Sequence, residues 1–237
     1  MAQWLVTIGR IDIAFALTSY NRFTAAPREG HLNGVLRIWG YLKKHPTQCI
    51  SIDPHDPIIN DRYLQLDEID VDFSQEYPDV IEELDPKFPK AYGKPLATTL
   101  FVDSSHANDK ETGWSITGCI AFVGQTPVSW ISHRQSTVET STYSAKFSAL
   151  RTATKESISI WYMLHSLGIP IIECTKVFGD SLSVILSSTS DSAELKKKHT
   201  ALSFHMVREA VVAEIIAPHH IPGYYNYTDI LTKAVET

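Results

Sequence analysis

Residues 98–105, TTLFVDSS, decide how this chain is read. Threonine and branched or aromatic side chains in one apolar run favour a buried, pleated strand, and the run ends near an acid, Asp103. A second strand-like run, KVFGDS (176–181), reaches Asp180, and a third acid, Asp229, opens the short helical segment TDILTKAVE (228–236). Carboxylates gathered at element ends around a sheet are how proteins hold two hard divalent cations for phosphodiester chemistry.

Outward from that strand the pattern is dense from residue 97 onward. ATTLFVDSS (97–105), SITGCIAFVG (115–124) and PVSWISH (127–133) read as three strands, the last two joined by a hairpin at Gly124-Gln125-Thr126. A long helix is predicted from Thr137 to about Leu167, with Tyr143, Phe147, Leu150, Ile158, Trp161 and Leu164 on its buried side and Gly168-Ile169-Pro170 as its stop. IIECTKVFGD (171–180) is a further strand and SLSVILSS (181–188) a helix. DSAELKKKHT (191–200) is a charged loop, ALSFHMVREAVVAE (201–214) a helix, and IIAPHHIPG (215–223) a last strand. A three-strand meander followed by alternating helices and strands predicts an α/β fold, a mixed five-stranded sheet with helices on both faces.

Before this lie a helical hairpin and an acidic connector. Residues 3–24 carry a helical apolar face (Leu5, Ile8, Ile11, Ala14, Leu17), and Pro27 begins a second helix that runs to Lys44. The division predicted is 1–50 helical hairpin, 51–96 connector and 97–237 sheet domain; a two-helix hairpin is too small to stand alone and is expected to dock on something. Residues 51–96 contain six of the twelve prolines and twelve acids against four bases, a local charge of −8 within the total of −6, so the rest of the chain carries +2. The connector is expected to run extended.

Composition narrows the classes. At 43% hydrophobic residues the chain builds a real core, and three scattered cysteines (Cys49, Cys119, Cys174) argue against a disulfide framework or a zinc site. No apolar run reaches the ~20 residues of a membrane helix, and MAQWLVTIGRID lacks the basic and apolar regions of a signal peptide. An intracellular setting, cytoplasm or nucleus, and no membrane contact are expected.

The stretches FVDSS, TGCIAF, PVSWISHRQSTVETSTYSAKFSALRTATKE, FGDSLSVI, KKKHTALSFHMVREA and HHIPGYYNYTDILTKA, in that order, resemble the ribonuclease H domain of copia-type LTR retrotransposons. GRIDIAFALTSYNRFTAAPREGHLNGVLRIWGYLKKHP (9–46) resembles the end of the reverse transcriptase of the same polyprotein. The resemblance implies a ribonuclease H-like fold and metal-dependent hydrolysis of RNA in RNA/DNA hybrids. It implies Mg²⁺ or Mn²⁺ as cofactor, held by Asp103, Asp180, Asp229 and a helix glutamate. At the glutamate's place this sequence has Lys146, and Ser181 stands where the family usually has asparagine. Lys146 lies three residues after Tyr143 and four before Leu150, beside the buried stripe; it reads either as an exposed helix lysine or as a cation aimed at the aspartates.

Among the histidines, His220 fits the family spacing of a proton-shuttling histidine before the last acid, with a strand-end packing role as the alternative. Lys196, Lys197, Lys198 and Arg208 form the best basic patch for phosphate contact. Arg134, just before the long helix, and Ser104, beside the first acid, are further candidates for nucleic-acid contact, the hydroxyl as a reader of 2′-hydroxyls. The expectation is an impaired or inactive copy. Its alternatives are a pseudoenzyme that serves as a structural or interaction module, with a protein partner on 1–96, or a non-catalytic nucleic-acid binder.

Overall fold

The computed structural model describes residues 2–60, 76–108, 112–190 and 201–234. Five strands form one sheet: β1 (Thr98–Ser105), β2 (Ile116–Val123), β3 (Thr126–Arg134), β4 (Thr175–Gly179) and β5 (Ile216–His220), in the order β3-β2-β1-β4-β5. β1 pairs antiparallel with β2 and parallel with β4; β2–β3 is antiparallel and β4–β5 parallel. The mixed sheet expected from the element order is present, and β1 is its central strand.

Alternation along β1 divides the core in two. Leu100 and Val102 face α4 (Thr142–Ser166) and α6 (Ala201–Val212), packing with Phe147, Leu150, Val177, Phe204 and Val207. Phe101 points the other way, into a second cluster with Ile120 and Phe178 of the sheet, Leu231 of the last helix, and Val6, Ile13, Leu17, Ile38 and Leu42 of the N-terminal segment. The helices of that segment are α1 (Ala2–Thr7), α2 (Ala14–Asn21) and α3 (Glu29–Lys44). They cover the sheet face that would otherwise be wet, and Trp130 Nε1 donates to the Val6 carbonyl at 2.7 Å while Thr18 Oγ1 donates to the Ser132 carbonyl at 2.7 Å.

Several boundaries differ from the sequence reading: the strand expected over 171–180 is confined to Thr175–Gly179, the one over 215–223 to Ile216–His220, and the second helix starts at Glu29 rather than Pro27. The single helix expected over 3–24 is broken at Gly9, whose φ of +132° lies outside the right-handed helical region, and a 3-10 turn (Ile11–Ile13) restarts the chain toward α2. The long helix begins at Thr142 rather than Thr137, because the Ser141 side chain caps it by accepting from the Ser144 amide at 3.2 Å. The described part of the connector runs without helix or ladder strand. Glu76 and Tyr77 meet α6, the Tyr92 amide donates to the Gly168 carbonyl at 2.8 Å, and Leu96 forms an isolated bridge with Ile171. Among the described residues no helix is long and apolar enough to cross a membrane.

The chain then turns through a 3-10 segment (Gly223–Tyr225) into α7 (Asp229–Thr232), which packs on β1, β2 and β3. α5 (Leu182–Thr189) follows β4 directly, with Asp180 and Ser181 in the intervening turn.

Candidate active site

Asp103, on the central strand, is 4% exposed. One of its oxygens accepts from Thr232 Oγ1 at 2.9 Å and the other from Lys146 Nζ at 3.1 Å. Lys146 sits one turn into α4, on a helix whose neighbours Ala145 and Phe147 are fully packed, and its ammonium also donates to Asp180 Oδ1. Asp180 reaches this point because β4 runs parallel beside β1 and delivers its end to the same edge. Two acids brought from two parallel strands therefore share one lysine.

The electrostatics follow from that geometry. Burial pulls the Lys146 ammonium toward neutrality, but its hydrogen bond to Asp180 and the charges of Asp103 and Asp180 outweigh burial and hold its pKa above the ordinary lysine value. The pocket bounded by Asp103, Lys146, Asp180, Ser181, Leu150 and Val184 keeps only about 10 Å³ open, around the least that admits one water.

Asp229 makes a different pairing. Its carboxylate accepts from Lys233 Nζ at 2.7 Å, one helical turn away, and it does not line the pocket. Lys233 is held above its ordinary pKa by its hydrogen bond to Asp229, and the charges of Asp103 and Asp180 add to the effect. Two ammonium groups thus accompany three carboxylates. Among the described residues no group of three or more His, Cys, Asp or Glu side chains is arranged to hold a metal ion.

The other sequence candidates fall as follows. His220 ends β5 opposite Gly179, next to Asp180. Its neighbour His219 is almost buried, stacks on Phe178, and is pushed down to about 4 by burial and the nearby charge of Lys176. Arg134 is exposed at the end of β3, its guanidinium 4.5 Å from the Trp114 ring centroid. Ser104 is 4% exposed, with its hydroxyl turned into the protein, so it offers no surface contact. Arg208 is no phosphate ligand either: at 1% exposed it pairs with Glu76 at 2.8 Å and donates to the Ser187 and Ser190 carbonyls. Lys196, Lys197 and Lys198 lie outside the described residues.

Sequence reasoning passed over Lys233, Thr232 and Asn226. The Asp229–Lys233 spacing of four is a helical ion-pair signal that was available. Asn226 gave none: it is buried, donates to the Val102 carbonyl at 2.9 Å, and accepts from the Thr228 amide and hydroxyl.

No protein-family model matches the chain. Its homologues are Pol polyproteins of retrotransposons. It is 23% identical over 224 residues to the retrovirus-related Pol polyprotein from transposon RE1 of Arabidopsis thaliana, covering 94% of this chain and 13% of that polyprotein. It is 27% identical over 226 residues to the one from transposon TNT 1-94 of Nicotiana tabacum, covering 95% and 14%. The chain thus spans about one seventh of the length of these relatives or less. Similar solved structures include the N-terminal RNase H domain of Rv2228c from Mycobacterium tuberculosis, at 12% identity and TM-score 0.46 over 58% of this chain and 91% of that one. Another is LC11-RNase H1 in complex with an RNA/DNA hybrid, at 15% identity and TM-score 0.45 over 56% and 92%.

Proposed function

We propose that this chain is a ribonuclease H-like module of retrotransposon descent in which hydrolysis of RNA in RNA/DNA hybrids has been silenced at Lys146. In this reading Asp103, Asp180 and Asp229 are the remaining acids of a two-cation site of Mg²⁺ or Mn²⁺, and His220 is the histidine beside it. The observation that carries the reading is the Lys146 ammonium bonded to both Asp103 and Asp180.

The residues present do not fit the ions. A divalent cation 4 Å from an ammonium group is repelled by roughly 8 kcal/mol at an effective dielectric of 20. A carboxylate at the same distance attracts the ion by the same amount, so Lys146 cancels the pull of one of the two acids it bonds, and with each 1.4 kcal/mol worth tenfold in affinity that loss weakens binding by several orders of magnitude. Mg²⁺ also keeps several of its waters, and the pocket with Lys146 in place has room for about one. The change from glutamate to lysine both removes a ligand and fills the seat.

The domain division follows the same reading: residues 97–237 form the ribonuclease H-like part, 51–96 the connector, and 1–50 a polymerase-derived cover over one sheet face. Cleavage of a labelled RNA/DNA hybrid in Mn²⁺ tests the proposal. The chain as it stands should leave the hybrid intact and Lys146→Glu should cut its RNA strand, leaving a 3′-hydroxyl and a 5′-phosphate. Cutting by the unaltered chain at an enzymatic rate overturns it.

A further inference from the structure

Between β5 and α7 the chain reads Gly223-Tyr224-Tyr225-Asn226-Tyr227, and its aromatic rings are not buried: Tyr224 is 78%, Tyr225 50% and Tyr227 59% exposed. Three exposed tyrosines in one short turn are more apolar surface than a turn needs. The turn is also firmly held. At its start the Ile221 amide donates to the Gly179 carbonyl at 3.0 Å, one residue before Asp180. Toward its end buried Asn226 donates to the Val102 carbonyl at 2.9 Å, one residue before Asp103. Tyr227 packs edge-on against Phe101 at 4.7 Å between centroids, while Tyr224 and Tyr225 lie against each other at 4.2 Å. A Cβ on Gly223 would come within 3.8 Å of Asp180 Oδ2, which puts the turn directly beside the acid pair.

We infer that Tyr224 and Tyr225 form a stacking platform for the unpaired bases of a single-stranded nucleic acid that passes over the silenced site. The choice of nucleic acid as the ligand class rests on the ribonuclease H reading above; the position and chemistry of the platform rest on this turn. Base–aromatic stacking tolerates any sequence because every base has a π face. A turn fixed at both ends loses little conformational entropy when a base lands on it. The two lysines matter here as well. Lys146 and Lys233 offset two of the three carboxylate charges, so an approaching phosphate meets a far less repulsive patch than three bare acids would make.

Fluorescence anisotropy of the full chain with short labelled single-stranded RNA, single-stranded DNA and an RNA/DNA hybrid, at low salt and without divalent ions, tests this. The single strands should bind, Tyr224→Ala should weaken that binding about tenfold, and Tyr224→Phe, which keeps the ring, should bind like the parent. Absence of single-strand binding, binding of the hybrid alone, or equal binding by Tyr224→Ala overturns the platform. Hybrid cleavage by Lys146→Glu is scored separately, so loss of the platform and loss of the ribonuclease H reading give different results.

Discussion

Lys146 Nζ lies 3.1 Å from Asp103 Oδ1, joining residues 43 apart in sequence across the interface of α4 and the central strand. The carboxylate it meets is buried, and Thr232 supplies its other hydrogen bond. A buried charge left without its partner is costly, and this pair therefore governs stability as well as chemistry.

Lys146→Met should cost about 3 kcal/mol in urea unfolding, because it leaves Asp103 and Asp180 facing each other without their cation. The pH dependence has a defined sign. With the folded-state pKa of Lys146 raised above 10.5, its contribution is complete below that pH and fades only as the pH rises through the higher folded-state value. The gap between the parent and Lys146→Met should be flat through neutral pH and close in strong alkali; a gap that closes near pH 8 contradicts the pairing.

Arg208 and Glu76 join the connector to α6 with one side chain buried and the other half-exposed. Glu76→Gln should lower stability by about 1.5–3 kcal/mol, the worth of a hydrogen bond to a charged group. A surface pair of no consequence would change it by less than about 1 kcal/mol, and thermal unfolding separates the two.

His219 is pushed down to about 4 from an ordinary 6.5, chiefly by burial. The unfolded chain then binds the extra proton first, so stability is complete above pH 6.5 and falls as the pH drops toward 4, by about 3 kcal/mol over that window. His219→Phe keeps the ring against Phe178 and should flatten this part of the curve. An unchanged slope places the acid sensitivity elsewhere.

Gly118 faces α7 so closely that an added Cβ would lie 2.6 Å from Thr232 Cγ2 and 3.2 Å from the Thr228 carbonyl oxygen. Gly118→Ala should displace α7, loosen the Thr232–Asp103 bond and cost about 1–3 kcal/mol. Faster amide exchange confined to residues near α7 is the expected signature.

The strands were legible because β1 alternates between two cores and β4 is a short apolar run; the sheet order then follows from the meander and the parallel crossovers. The meeting of Asp103 and Asp180 was legible through their strand ends, and Lys146 became informative through the motif around it. What the sequence hid are contacts made at long range. Arg208 read as part of a basic patch because its partner, Glu76, lies 132 residues earlier in the connector. Ser104 read as a surface hydroxyl because a strand end does not reveal which face is covered. Gly9 broke a helix whose apolar periodicity ran straight through it, since periodicity records faces and is blind to φ.

Calorimetric titration of the full chain with Mn²⁺ at neutral pH bears most directly on the claim that Lys146 occupies the cation site. The account predicts no tight binding by the unaltered chain and the appearance of binding in Lys146→Glu. Two tight Mn²⁺ sites in the unaltered chain would contradict it.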